Sequence, residues 1–200
     1  MRYFQQLPKI VYTDPNTGIK SVTIDLLPRS SIIQTLLANP LLYYNYDVQE
    51  GDTPEIVADK YYGDSYRYWL ILYANQMLDP QWSWPLSYTQ FNAYIVDKYP
   101  TTDVYATVYE YQKIVTKYDA NSQTTTTDTF VIDENDYNLL FPYNTTVNTI
   151  TGPVGIKVTK NAQSIYDYEL QVNENKRNIQ IINKLYANQI ESEFKSLMGQ

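Results

Sequence analysis

The chain has 200 residues, with 15 basic and 22 acidic side chains, no cysteine and no histidine. The two missing residue types exclude a disulfide framework, a zinc–thiolate site, a thiol nucleophile and a histidine general base, and with them most hydrolase and metalloenzyme chemistry. The acidic balance, with no basic cluster denser than Lys176-Arg177, argues against the phosphate-neutralising face of a nucleic-acid binder.

The length suits one or two domains and a core that needs no staples. Tyrosine is the outlying residue type, at 22 against 5 Phe and 3 Trp. It offers large contact area with few rotatable bonds and a polar tip, which favours surfaces that meet other surfaces; it also substitutes for Phe in a half-wet core, and composition leaves both readings open. The opening MRYFQQLPKIVY lacks the long apolar core of a signal peptide. No run approaches the roughly 18 apolar residues of a membrane span, so a cytoplasm-like setting without membrane contact is expected.

In chain order, residues 3–12 read as an extended arm that ends at the Asp14-Pro15-Asn16-Thr17-Gly18 turn, followed by a strand over Ile19–Ile24. Ile32, Ile33, Leu36 and Leu37 at helical spacing, with Ser30 or Ser31 as N-cap and Asn39-Pro40 as stop, predict a helix over Ser30–Leu42. The stretch Tyr46–Leu86 organises the rest. Tyr43–Val48 reads as a strand, Gly51 turns the chain, and Thr53 with Pro54 starts a helix, Asp52 with Glu55 being the rival cap. Ile56, Val57, Lys60 and Tyr61 form the expected inward stripe, and Gly63 ends that helix in the left-handed conformation. Asp64 or Ser65 caps a second helix whose face is Tyr66, Trp69, Leu70 and Tyr73, closed by Asn75. Asp79-Pro80 marks an exit turn; Ser87 and Gln90 form a capping box ahead of a third helix bearing Phe91, Tyr94, Ile95 and Lys98.

Past Pro100 the composition turns to Val, Tyr, Ile and Thr, and residues 104–118 fit a pleated surface. Asn121–Thr127 reads as an exposed loop or hairpin tip, Phe130–Ile132 as a brief strand, and 137–153 as irregular. The acidic cluster Asp133–Asp136 lacks the alternating oxygens, glycine and terminal glutamate of a calcium loop, and reads as a solvated turn. Val154–Lys160, Ile165–Val172 and Asn178–Ile182 are strand candidates. Asn183 caps a terminal helix with Leu185, Gln189, Ile190, Phe194 and Leu197 near helical spacing.

No catalytic constellation, cofactor motif or metal-ligand set emerges. A glycosidase needs two carboxyls facing each other roughly 5–10 Å apart. Asp52, Glu55, Asp59, Asp64 and Asp79 are close in sequence, yet each has work as a cap, a first-turn charge or a solvated group. The glycines around them supply backbone freedom without a phosphate loop.

One ordered string of anchors is specific. Tyr46-x-Val48-x-x-Gly51-Asp52-Thr53-Pro54, then Ile56-x-x-x-Lys60-Tyr61-Tyr62-Gly63-Asp64, then Trp69 through Asn75, resembles a LysM domain. That resemblance implies a βααβ unit and, in its usual form, binding to N-acetylglucosamine polymers such as peptidoglycan. The ending departs from it: a third helix after Trp84-Pro85 replaces or follows the closing strand. Across both ends and the middle, RYFQQLPKI, GDTPE, DPQWSWPLS, YDYELQVNENKRNIQII and EFKSLM resemble the LysM-containing baseplate wedge proteins of T-even-type contractile-tailed phages, the wedge protein 53 family. That resemblance implies a non-enzymatic virion component that binds other wedge proteins, including those of neighbouring wedges, in a six-fold plate around the central hub.

The expected architecture is α+β: an N-terminal arm and short helix over 1–42, a LysM-like domain with an added helix over 43–100, and a β-rich region ending in a helix over 101–200. The expected role is a structural wedge component, made in the host cytoplasm and carried in the tail baseplate, with no cofactor, nucleic acid or membrane. The alternative is a non-catalytic peptidoglycan-binding module. Trp82, Trp84 and Tyr88 are the candidate interface aromatics, Trp and Tyr being frequent hot spots; the competing reading has both tryptophans covering the LysM-like core.

Overall fold

A computed structural model describes residues 2–28, 41–150 and 152–198. The fold is α+β, in two compact units. One takes the chain up to Tyr88 together with everything from Asn173 on; the other is Thr89–Val172. This division departs from the linear one over 1–42, 43–100 and 101–200, because the last segment of the chain belongs with the stretch around Tyr46.

In the first unit a 3₁₀ turn, Tyr3–Gln6, leads into strand β1 (Lys9–Thr13), which pairs antiparallel with β2 (Lys20–Ile24). The turn between them is closed by the Asp14 carboxylate, which accepts from Asn16 N–H and Thr17 O–H, and by Gly18 at φ +70°. The arm is therefore one strand of a hairpin. The helix expected over Ser30–Leu42 lies outside the described residues.

The organising stretch then begins with β3 (Tyr43–Asp47) and helix α1 (Pro54–Tyr62). Thr53 caps α1 by accepting from Ile56 N–H, Pro54 takes the first helical position, and Gly63 at φ +74° ends it with its N–H on the Asp59 carbonyl. Asp64 caps the next turn, Ser65–Arg67, which runs into α2 (Tyr68–Ala74). The inward faces are shifted from the predicted stripes. Val57 and Ala58 are buried where Ile56 is exposed, and Ile71 and Ala74 join Trp69 and Leu70 while Tyr66 faces out. A single helical turn, α3 (Pro80–Ser83), follows at the expected exit, and the third helix forms as α4 (Tyr88–Lys98).

The closing strand comes from far along the chain. Strand β8 (Asn178–Ile182) pairs antiparallel with β3, from Tyr43 against Ile182 to Asp47 against Asn178. The βααβ order is thus completed after the second unit has been threaded between α3 and β8 in sequence. Ile179, Ile181 and Ile182 are almost fully buried and join Val48, Val57, Ala58, Ile71 and Trp84 on one side, and Leu7, Trp69, Leu70 and Ala74 on the other. The terminal helix α7 (Lys184–Leu197), capped by Asn183, buries Ala187 and Phe194 against that second cluster. Leu185 and Leu197 of its predicted stripe face out.

The second unit is built on β4 (Val108–Asp119), β5 (Thr124–Ile132), β6 (Tyr143–Thr149) and β7 (Gly152–Ser164), in the all-antiparallel order β5-β4-β7-β6. Three predicted irregular segments are regular here. The Thr124–Thr127 run lies in β5, residues 143–149 form edge strand β6, and Asp133 caps the short helix α5 (Glu134–Leu139) by accepting from Asp136 N–H. Ile165–Val172, expected as a strand, lies in helix α6 (Ile165–Glu174). Ser164 caps that helix: its hydroxyl accepts from Asp167 N–H and donates to the Asp167 carboxylate. Ile, Tyr and Val favour a strand by propensity, but Tyr166, Glu169 and Asn173 recur at helical spacing.

Candidate functional site

The LysM-like anchors converge inside the first unit, and almost all are spent on holding it together. Gly51, at φ +80°, turns the chain so that Asp52 points inward. The Asp52 carboxylate, with a side chain only 5% exposed, accepts from Lys60 Nζ at 2.6 Å, Tyr46 O–H at 2.8 Å and Gln49 N–H at 3.3 Å. Burial alone would raise its pKa, but these donors outweigh it and hold the carboxyl below the usual Asp value. Burial and the adjacent carboxylate push the Tyr46 phenol up to about 12. Both groups therefore keep one protonation state near neutral pH.

Trp84 closes this corner. Its indole N–H donates to the Asp52 carbonyl at 2.8 Å, and its ring belongs to the core with Val48 and Val57. Trp69 is equally enclosed, with its ring centroid 5.0 Å from Phe194 and 5.6 Å from Tyr3. Asn75 acts as a strand clamp: its amide donates to the Ile71 and Gln180 carbonyls and accepts from Gln180 N–H. Tyr61 stacks on Tyr44 at 6.0 Å, under the Lys184 ammonium. Arg177, with no role in the sequence reading, joins Glu174, Glu50 and the Val48 carbonyl.

Among the described residues, the other buried carboxylate is Glu169, in the second unit. It accepts from Lys98 at 2.7 Å, Tyr99 at 2.8 Å and Tyr94 at 3.2 Å. Burial opposes its ionisation, yet the Lys98 and Tyr99 hydrogen bonds bring its pKa below the usual Glu value; Lys98 is correspondingly raised. Nothing in the sequence spacing linked Lys98 to Glu169, a pairing that depends on α4 meeting α6. Each buried carboxylate is already engaged by three donors, which is the chemistry of structural anchors. Among the described residues no three Asp, Glu, His or Cys side chains gather to hold a metal ion. Among them, too, no helix is long and apolar enough to cross a membrane.

The exposed apolar surface lies elsewhere. Every residue of β1 and β2 is exposed. By their register Val11 lies opposite Val22, next to the Lys9–Ile24 and Thr13–Lys20 pairs, while Ile10 and Tyr12 occupy the other face. Val11 is 65% and Val22 70% exposed. The three interface aromatics separate: Trp84 is a core residue at 8% exposure, whereas Trp82 at 59% and Tyr88 at 67% project outward. Their backbones are tied down, the Trp82 carbonyl by Lys176 Nζ and Tyr88 N–H by Glu50. The tyrosines serve both anticipated uses, with Tyr3 and Tyr62 packed on the core and Tyr12, Tyr88, Tyr118 and Tyr143 exposed. No protein-family model matches the chain, and a search of curated proteins finds no match.

Proposed function

We propose that this protein is a non-catalytic docking component of a contractile phage tail baseplate wedge, in which the βααβ unit is a rigid block and exposed apolar elements bind other wedge proteins. The observation that carries the docking role is the β1–β2 hairpin. A two-stranded hairpin is marginally stable alone in water, and this one leaves Ile10, Val11, Tyr12, Val22 and Ile24 uncovered among the described residues. Such an element gains its stability from what it binds. The choice of a baseplate rests on the sequence resemblance at both ends and the middle of the chain.

The peptidoglycan alternative loses support from the fate of the anchors. Trp69 and Trp84 are buried and Thr53 is a helix cap, so the motif offers a sugar no exposed indole of its own. The test is co-expression with the wedge proteins of a contractile phage, followed by affinity capture, with sedimentation on purified peptidoglycan as the second arm. Capture of wedge proteins without sedimentation supports the proposal. Sedimentation with peptidoglycan, or no wedge protein captured, overturns it.

A further inference from the structure

The second unit ends in an edge strand that carries none of the usual protection. Natural edges are blunted by lysines, proline, bulges or short length, because an open row of backbone N–H and C=O groups recruits another strand. Strand β6 reads Tyr143-Asn-Thr-Thr-Val-Asn-Thr149: seven residues, no charge, no proline and no break in its register with β7. Among the described residues it pairs only with β7, and all of its side chains are exposed. The opposite edge, β5, differs in carrying Asp128, which pairs with Lys117 at 3.4 Å.

What an open edge recognises is another extended backbone, and β6 fits itself. Tyr143, Thr145 and Val147 share the face on which Val154, Ile156 and Val158 of β7 lie, and Asn144, Thr146 and Asn148 share the other. An antiparallel pairing with a second copy, about a two-fold axis through Thr145, sets Tyr143 against Val147 twice and Thr145 against Thr145. It sets Asn144 against Thr146 on the polar face. Aromatic–β-branched and Thr–Thr cross-strand pairs are favourable, and no like charges meet, although each copy carries a net charge of −7.

We infer that β6 is a self-association edge through which two copies of this chain join their four-stranded sheets into one antiparallel sheet of twice the width. The contact is isologous and closes at two copies. About that axis only Tyr143–Val147 of each copy face each other, a small interface beside the roughly 800 Å² per partner of a standard one, so the dimer is reversible and concentration-dependent.

The absence of cysteine gives a clean cross-linking background. Thr145→Cys puts two thiols opposite each other across the axis, at a spacing a disulfide accepts, while Thr126→Cys on β5 serves as the control. The expected result is that the full-length wild type rises in mass from 23.4 kDa toward twice that with concentration, and that Thr145→Cys cross-links under mild oxidation where Thr126→Cys does not. Thr145→Lys and Thr145→Glu each lose the dimer through like-charge pairing, and mixing the two variants restores it. A wild type that stays monomeric, with no preferential cross-link in the Thr145→Cys variant, overturns the inference. So does a dimer that both charged variants retain, which would place the contact elsewhere, or capture of β6 only by a strand of another protein.

Discussion

The βααβ unit and the four-stranded sheet contain similar β-forming residues and treat them in opposite ways. In β8, Ile179, Ile181 and Ile182 are buried between two helices' worth of apolar cover, so five residues of strand anchor most of the first unit's core. In the sheet, β4 and β7 are more than twice as long, yet Val158 is the one fully buried apolar strand residue among those described, and β5 and β6 are exposed almost throughout. Helix α5 covers only part of one face: Tyr137 lies 4.7 Å from Tyr111 and its carbonyl accepts from Lys160. Burial of apolar area, at roughly 25 cal/mol per Å², is what turns a strand into an anchor. The first unit is therefore a stable block. The sheet's outer strands β5 and β6 and the β1–β2 hairpin leave nearly all of their side chains exposed.

The contrast is broken most severely by Trp69→Ala. Its indole fills the cluster formed with Tyr3, Tyr73 and Phe194, and the cavity left behind is expected to cost about 3–5 kcal/mol in denaturant unfolding. Asn75→Ala comes next. It removes two hydrogen bonds that tie α2 to β8 and a third to the Ile71 carbonyl, and strands the Gln180 N–H, for an expected loss of about 1–3 kcal/mol by the same measurement.

Acid sharpens the comparison, because each unit carries one buried, hydrogen-bonded carboxylate among the described residues. Asp52 and Glu169 both have folded pKa values below their ordinary values of 3.8 and 4.5. A depressed carboxyl contributes stability that is present above the ordinary value and lost as pH falls through the folded one. Melting temperatures should hold down to about pH 5 and fall below about pH 4. Asp52→Asn and Glu169→Gln should each flatten that fall while lowering the plateau. At the alkaline end, Lys98 is raised above its ordinary 10.5, so its contribution is complete below that pH and is lost as pH rises through the folded value. The smallest effect belongs to the hairpin: Val11→Ser with Val22→Ser should change the stability of the free protein by no more than about 0.5 kcal/mol per site, as at exposed positions generally.

Much of the block was legible because its signals are local. Thr53-Pro54, Gly63, Asp64, Asn75 and Asn183 are punctuation read within a few residues, and each sits at the helix end that the sequence indicated. The closing strand was not legible as such. Asn178–Ile182 was recognisable as a strand, but its pairing with Tyr43–Asp47 spans the whole second unit, and no local pattern encodes a partner so distant. Strand β6 mixes its β-formers with Asn144 and Asn148, which read as loop residues, and it becomes regular through its pairing with Gly152–Val158. Helix α6 was hidden by β-branched and aromatic residues, although the Ser164-x-x-Asp167 box announced it. At the candidate site the same division holds. Asp52 and its partners Tyr46 and Lys60 are near in sequence, whereas the Trp84 lid and the Arg177 bridge depend on long-range folding.

The most direct measurement is affinity capture of co-expressed wedge proteins by the full chain, set beside the same capture with Val11→Asp and Val22→Asp together. Circular dichroism of both proteins would verify that the βααβ block is intact. The account predicts that wild type captures at least one wedge protein, that the double variant folds and loses it, and that neither sediments with peptidoglycan. Equal capture by the folded double variant, or sedimentation of wild type with peptidoglycan, would contradict it.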